Sequence, residues 1–310
     1  MKTKNETKKT KKKVNFKTVW PFYCLLLPAM LIVFVFKYIP MSGLVLAFKE
    51  WKPKLGLWDS PWAANHGWAN FIELFKTPEL TEAIWNTLYF NVVTMLIEFP
   101  APIVLALLIN EIQNKYFKKV TQTISYLPHF LSVAAVTGIV NSLLSEYGLI
   151  NSMLMKLGAG KQTWLEQPSA FLPTYVITSV WQSVGWGTII YLASMCGLAQ
   201  ESYEAAEIDG AGKFKQALYI TLPGILPTVG MLLILKMGSL FGSSFELVYG
   251  LQNPIGWVKE VISTAVYKNG IGRGEYAIST ALGLMQGLVA LILTFTTNFI
   301  SKKLSGVSMW

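Results

Sequence analysis

Three ionisable residues fall inside long apolar stretches of the sequence: Glu98, Lys236 and Glu246. An isolated charge at the centre of a bilayer costs about 2.5–3.5 kcal/mol on insertion scales, so each should face protein or water rather than lipid. Lining the route of a polar solute is one use for such groups. A structural role is the other, and for Glu246 simple hydration near a membrane surface also serves. Lys236 and Glu246 are ten residues apart, about 15 Å along one helix, which is too far for a direct pair. A further stretch holds Trp181, Gln182, Ser183, Trp186 and Tyr191. Aromatic faces with polar groups around them suit sugar rings, because one side of such a ring is apolar and its edge is not. Trp181 and Trp186 are off one helical stripe, so at most one faces a central path. Glu98, Gln182, Trp186 and Lys236 are therefore the candidate path residues. Gly238, Ser239 and Gly242 suit close helix packing, and Ser239, Ser243 and Ser244 add small hydroxyls to the same stretch.

The parts for enzymatic chemistry are missing. The aspartates, Asp59 and Asp209, lie outside the apolar stretches, and no HExxH or G-x-x-x-x-G-K-[ST] occurs. His66 and His129 are isolated, which makes no metal site; His129, beside Pro128, reads as a structural histidine. Cys24 and Cys196 sit in apolar runs and read as buried free thiols, not as a disulfide framework. The expectation is no catalytic residue, no metal and no cofactor bound by this chain.

The elements that must position the candidates are membrane helices. The chain is 53% hydrophobic and only 14% charged, against about 25% charged in a soluble domain. Apolar residues are bunched into six runs, about 19–38, 85–109, 120–144, 171–198, 225–251 and 278–300. The first is too long for a signal peptide and lacks a small-residue cleavage site. The segment between the first two runs carries Trp51, Trp58, Trp62 and Trp68, a density that suits the membrane interface. The segments 145–169 and 252–277 read as loops, the former with room for a short helix. The organisation expected is all-α: a basic tail over 1–18, one six-span domain over 19–303 and a short tail over 304–310.

Charge gives the orientation. Of the net +9, eight lysines crowd into the first seventeen residues. That placement suits a cytoplasmic anchor beside anionic lipid better than a nucleic-acid arm. With the N-terminus inside, cytoplasmic segments carry 15 Lys and Arg and external segments carry 9. Both termini and the segment 200–227 are then cytoplasmic.

That segment reads QESYEAAEIDGAGKFKQALYITLPGILP. Ser202 is a possible cap for a short helix, with Glu204 then in its first turn. Gly210 and Gly212 end the helix after about two turns. Phe214, Ala217, Leu218 and Thr221 suggest a second helix, and Pro223 and Pro227 open the next span. Ala205 and Ala206 give a small smooth face, edged by Glu204, Glu207 and Asp209, that fits a groove on a partner.

Glu204-Ala205-Ala206, then Gly210, then Ile220-Thr221-Leu222-Pro223 resembles the EAA loop of binding-protein-dependent ABC importer permeases. The whole pattern covers about twenty positions and is similar to the carbohydrate-uptake branch. YIPMSGLVLAFKEW, after the first run, resembles the first external segment of one group of complex-carbohydrate permeases. The resemblance implies a type I ABC importer membrane fold in a bacterial cell membrane. It implies an oligosaccharide cargo delivered by an extracellular binding protein. It also implies a second homologous permease, often forming a heterodimer, and two cytoplasmic ATPases that carry ATP and Mg. Glu204, Ala205, Ala206, Asp209 and Gly210 would then be the ATPase-coupling residues. The alternative from another class is a passive channel or secondary carrier, which would need neither the loop nor ATP.

Overall fold

The computed structural model describes residues 16–164, 166–240, 242, 245–252 and 260–305. Residues 1–15 of the basic tail, residues 306–310, Ser243, Ser244 and Lys259 lie outside the described residues. Among the described residues, the α-helices of seven residues or more are α1 (Phe16–Val33), α2 (Ala69–Lys76), α3 (Pro78–Glu98), α4 (Pro100–Asn110), α5 (Lys115–Tyr126) and α6 (Val133–Leu144). They continue as α7 (Leu149–Lys156), α8 (Pro168–Met195), α9 (Gln200–Ile208), α10 (Leu222–Gly238), α11 (Phe245–Leu251) and α12 (Tyr276–Ser305). Among the described residues, the β-structure is a single bridge between Lys49 and Trp62.

Among the described residues, five helical stretches are long and apolar enough to cross a membrane: Val19–Phe48, Pro78–Asn110, Val133–Lys156, Lys213–Gly238 and Tyr276–Lys303. The run expected over 171–198 is continuous as the 28-residue α8, but its Thr, Ser and Gln content makes it more polar than those five. α8 is the hub, in contact with α3, α4, α5, α6, α10 and α11. One buried cluster joins it to α3 and α11 through Phe90, Phe171, Tyr175 and Val248. Another joins it to α4 and α10 through Ile103, Tyr191, Met195 and Ile225. Two glycines set the closeness of this packing. A Cβ on Gly185 would lie 1.9 Å from the Ser125 carbonyl oxygen, and one on Gly187 would lie 2.9 Å from Pro102. Small residues let membrane helices approach to backbone contact. α1 is the opposite case: its large apolar side chains from Trp20 to Val33 are all exposed.

The structure corrects several expected boundaries. The run 120–144 is not one helix. Pro128 falls in a 3-10 turn over Leu127–Phe130, and α6 starts afresh with Ser132 accepting from the Ala135 N–H at 3.2 Å. The run 225–251 also divides. α10 ends at Gly238 and α11 starts at Phe245, because Gly and Ser propagate a helix poorly. Lys236 and Glu246 thus sit on different helices, Lys236 in the last turn of α10 and exposed Glu246 in the first turn of α11. Each has the sign that its helix end favours. The expected loop 252–277 is packed over 261–270, where Val261, Ile262, Thr264, Ala265 and Asn269 are buried, and exposed over 271–276. The Thr87 hydroxyl accepts from the Ile262 N–H at 2.7 Å, tying that segment to α3. Cys24 and Cys196 are exposed on this chain, not buried.

Candidate functional site

Glu98 is the last residue of α3, where Pro100 and Pro102 interrupt the helix. Each proline lacks the N–H that would bond four residues back, so the carbonyls of Leu96 and Glu98 lose their helical donors. Across from it, Lys236 Nζ lies 3.2 Å from Glu98 Oε2. On α8, Ser183 Oγ is 3.0 Å from Glu98 Oε1 and 2.8 Å from the Ser179 carbonyl oxygen, so its one proton can serve either. Three helices distant in sequence thus meet at one carboxylate. They border a cavity of about 360 Å³, also lined by His129, Trp186, Tyr191 and Ser239.

Trp186 forms a wall of this cavity. The His129 ring stacks on it, with centroids 4.6 Å apart and planes 6° from parallel, and Phe130 meets it edge-on. The proline turn that breaks the third run also carries His129 and Phe130 to this position. Of the four candidate path residues, the structure brings Glu98, Trp186 and Lys236 together. Gln182 does not line this cavity; its amide donates to the Leu131 carbonyl at 3.3 Å. Trp181 stays outside it. His129, expected as a structural histidine beside Pro128, stacks on Trp186 and lines the cavity.

The second region is the segment after α8. α9 begins at Gln200 after Ala199, with no side-chain cap. Ser202 is therefore inside the helix, and Glu201 rather than Glu204 occupies its first turn. The C-terminus is closed by backbone. Ala211 N–H donates to the Ala206 carbonyl at 2.8 Å, and Gly210 N–H to that of Glu207 at 3.1 Å. Gly210 has φ +74°. This is a Schellman closure, in which glycine supplies the left-handed residue. Tyr203 Oη is 2.8 Å from Thr221 Oγ1, and Lys213 Nζ is 2.8 Å from Glu207 Oε1. Lys213 hydrogen-bonded to Glu207 holds that carboxyl below its ordinary range. The expected second helix is not separate. Lys213–Gln216, a π-helical turn over Ala217–Thr221 and α10 run on as one 26-residue stretch.

Outward, this segment offers Ala205, Asp209 and Gly210, with Ile208 at 87% and Phe214 at 81% exposure. Glu204 and Glu207 line a cleft of about 360 Å³ with Tyr203, Glu111 and Gln216. The segment is thus a short helix, closed at its end, with small and apolar side chains exposed on its outer face.

Residues 98–306 match the family described as binding-protein-dependent transport system inner membrane component. The chain belongs to this family. It is a multi-pass inner-membrane transport subunit and not an enzyme. Protein LplB of Bacillus subtilis (strain 168) is 41% identical over 283 residues, covering 91% of this chain and 88% of that protein. The polygalacturonan/rhamnogalacturonan transport system permease protein YteP of the same strain is 40% identical over 283 residues, covering 91% and 87%. Among solved structures, a bacterial ABC transporter involved in the import of the acidic polysaccharide alginate superposes with a TM-score of 0.85. It has 36% identity and covers 94% of this chain and 98% of that one. Membership of a binding-protein-dependent family sets aside the passive channel and the secondary carrier.

Proposed function

We propose that this chain is a permease subunit of an ATP-driven importer of oligosaccharides, with the segment 200–227 as its coupling element. The observation that carries this reading is α9, a closed nine-residue helix whose Ala205 and Gly210 face outward in the matched family region. The sugar cargo is supported by the polymers for which the relatives are named. α8 completes six crossings, with both termini in the cytoplasm. The complex consists of this chain, a second homologous permease, two ATPases that bind ATP and Mg, and an extracellular binding protein. Ala205 and Ala206 seat in a groove of the ATPase, and Glu204 and Asp209 meet its basic groups, contacts that matter more once desolvated. Glu98, Trp186 and Lys236 line the sugar path, and Gln182 supports its wall.

The experiment is sugar-stimulated ATPase activity of the purified complex, with co-purification of the ATPase recorded alongside. Gly210→Val strains the left-handed closure, and Glu204→Lys reverses a contact charge. Both variants are expected to reach the membrane and to lose stimulation. Wild-type stimulation and uptake in both would remove the coupling role. Topology is tested by cysteine labelling in intact cells, where a cysteine in the tail should resist an impermeant reagent.

A further inference from the structure

The cavity at the Glu98–Lys236 pair presents its two charges unequally. The Lys236 side chain is 38% exposed and that of Glu98 14%. The acid sits behind, with Ser183 Oγ and Lys236 Nζ on its two oxygens. The ammonium stands in front. It has three N–H donors, and Glu98 Oε2 occupies one direction. Among the described lining residues no second acid is present to take the others. Donors turned into a cavity of about 360 Å³ need acceptors, from water or from cargo. Beside them stands Trp186, 45% exposed, with one face covered by His129 and set rigidly by it. A flat aromatic surface next to a cation fits a sugar ring that bears a carboxylate.

We propose that Lys236 is a carboxylate-reading group and that the cargo is an acidic oligosaccharide, one built from uronate sugars. This rests on the oligosaccharide reading above. The uronate carboxylate takes the forward donors of Lys236 while its ring lies against Trp186. Glu98 is the standing counter-ion that holds the ammonium in place between cargoes. A neutral sugar of the same shape gains the stacking but no charged contact. A hydrogen bond to a charged group contributes about 1.5–3 kcal/mol, which is about 10- to 150-fold in preference.

The test uses the whole complex with its ATPases and binding protein in proteoliposomes. The probes are a galacturonate oligosaccharide and its methyl ester, which keeps the ring and removes the charge. The quantity read is the ratio of kcat/KM for acid over ester, compared between permease variants with the same binding protein. Lys236→Met should lower that ratio about tenfold or more. Glu98→Gln frees the ammonium from its counter-ion and should raise the ratio. The double variant removes both charges, leaves no uncompensated carboxylate, and should show the lowered ratio even if Lys236→Met alone fails to assemble. Equal ratios in wild type and double variant, or a shift in the same direction for both single variants, would make the pair merely structural and overturn the inference. Transport of neither probe, with neutral oligosaccharides also refused, would instead bring down the oligosaccharide reading itself.

Discussion

The intramembrane cavity and the segment 200–227 are built on opposite principles. The cavity takes Glu98, Ser183 and Lys236 from three helices, up to 138 positions apart, and holds them by contacts between helices. The segment closes on itself: its bonds run from Gly210 to Glu207, Ala211 to Ala206 and Lys213 to Glu207. The first depends on how the bundle packs. The second depends on a short run of sequence and stays mostly exposed. In the proposed function the first is a site that changes when helices move, and the second a handle that does not change when it is pushed.

Glycines break the comparison most directly, because the two regions use them for different reasons. Gly185 is needed for space. Gly185→Ala places a methyl against the Ser125 backbone, within 1.9 Å, and neither α8 nor α5 can give way cheaply. We expect a loss of about 3 kcal/mol or more, seen as a collapse of folded protein on size-exclusion chromatography. Gly210 is needed for its φ of +74°, with nothing within 4 Å of an added Cβ. Gly210→Ala should cost only about 1–2 kcal/mol and leave the bundle intact. A larger loss for Gly210→Ala than for Gly185→Ala would invert the comparison.

Between these lies Lys236→Met, which strands Glu98 with only Ser183 beside it. Stripping one partner from a partly buried pair should cost about 2 kcal/mol, read as a lower thermal unfolding midpoint of the complex. Glu98→Gln with Lys236→Met should recover part of that loss.

Much of the segment was legible because its chemistry is local. The Glu204-Ala205-Ala206 string, the break at Gly210 and the helix length all follow from neighbours in sequence. Its start was misread because Ser202, a good cap in isolation, lies within a helix that begins at Gln200. In the membrane, the existence of the apolar runs was legible and their continuity was not. Pro128 and the Gly238–Gly242 stretch carried the breaks, but hydropathy averages over them. The pairing of Glu98 with Lys236 was beyond reach for a physical reason. The rotation of each helix about its axis is fixed by its neighbours, and composition does not encode it. The same holds for Gln182, whose polarity predicted the path and whose amide faces the Leu131 carbonyl instead.

The smallest effect sharpens the local side of the comparison. The Glu207 carboxyl titrates below its ordinary range because Lys213 hydrogen-bonds it. A lowered folded-state pKa means that the bond adds stability above the ordinary carboxylate pKa. That stability is lost as pH falls through the lowered value. Lys213→Met should move the Glu207 titration back up, followed by carboxyl-selective NMR in nanodiscs, with little effect on assembly because the pair is solvent-screened. An unmoved titration would mean that the segment is held by something other than its own bonds.

The unbroken run from Lys213 to Gly238 has a mechanical consequence. From the π-helical turn at Ala217–Thr221 to Lys236 the rod is about 22 Å long at 1.5 Å per residue. A tilt of about 10° pivoting at that turn sweeps Lys236 through about 4 Å over this length. That displacement exceeds the 3.2 Å separation of Lys236 and Glu98. A small rocking at the Ala217–Thr221 end is therefore geared into the difference between a closed and an open ion pair at the far end.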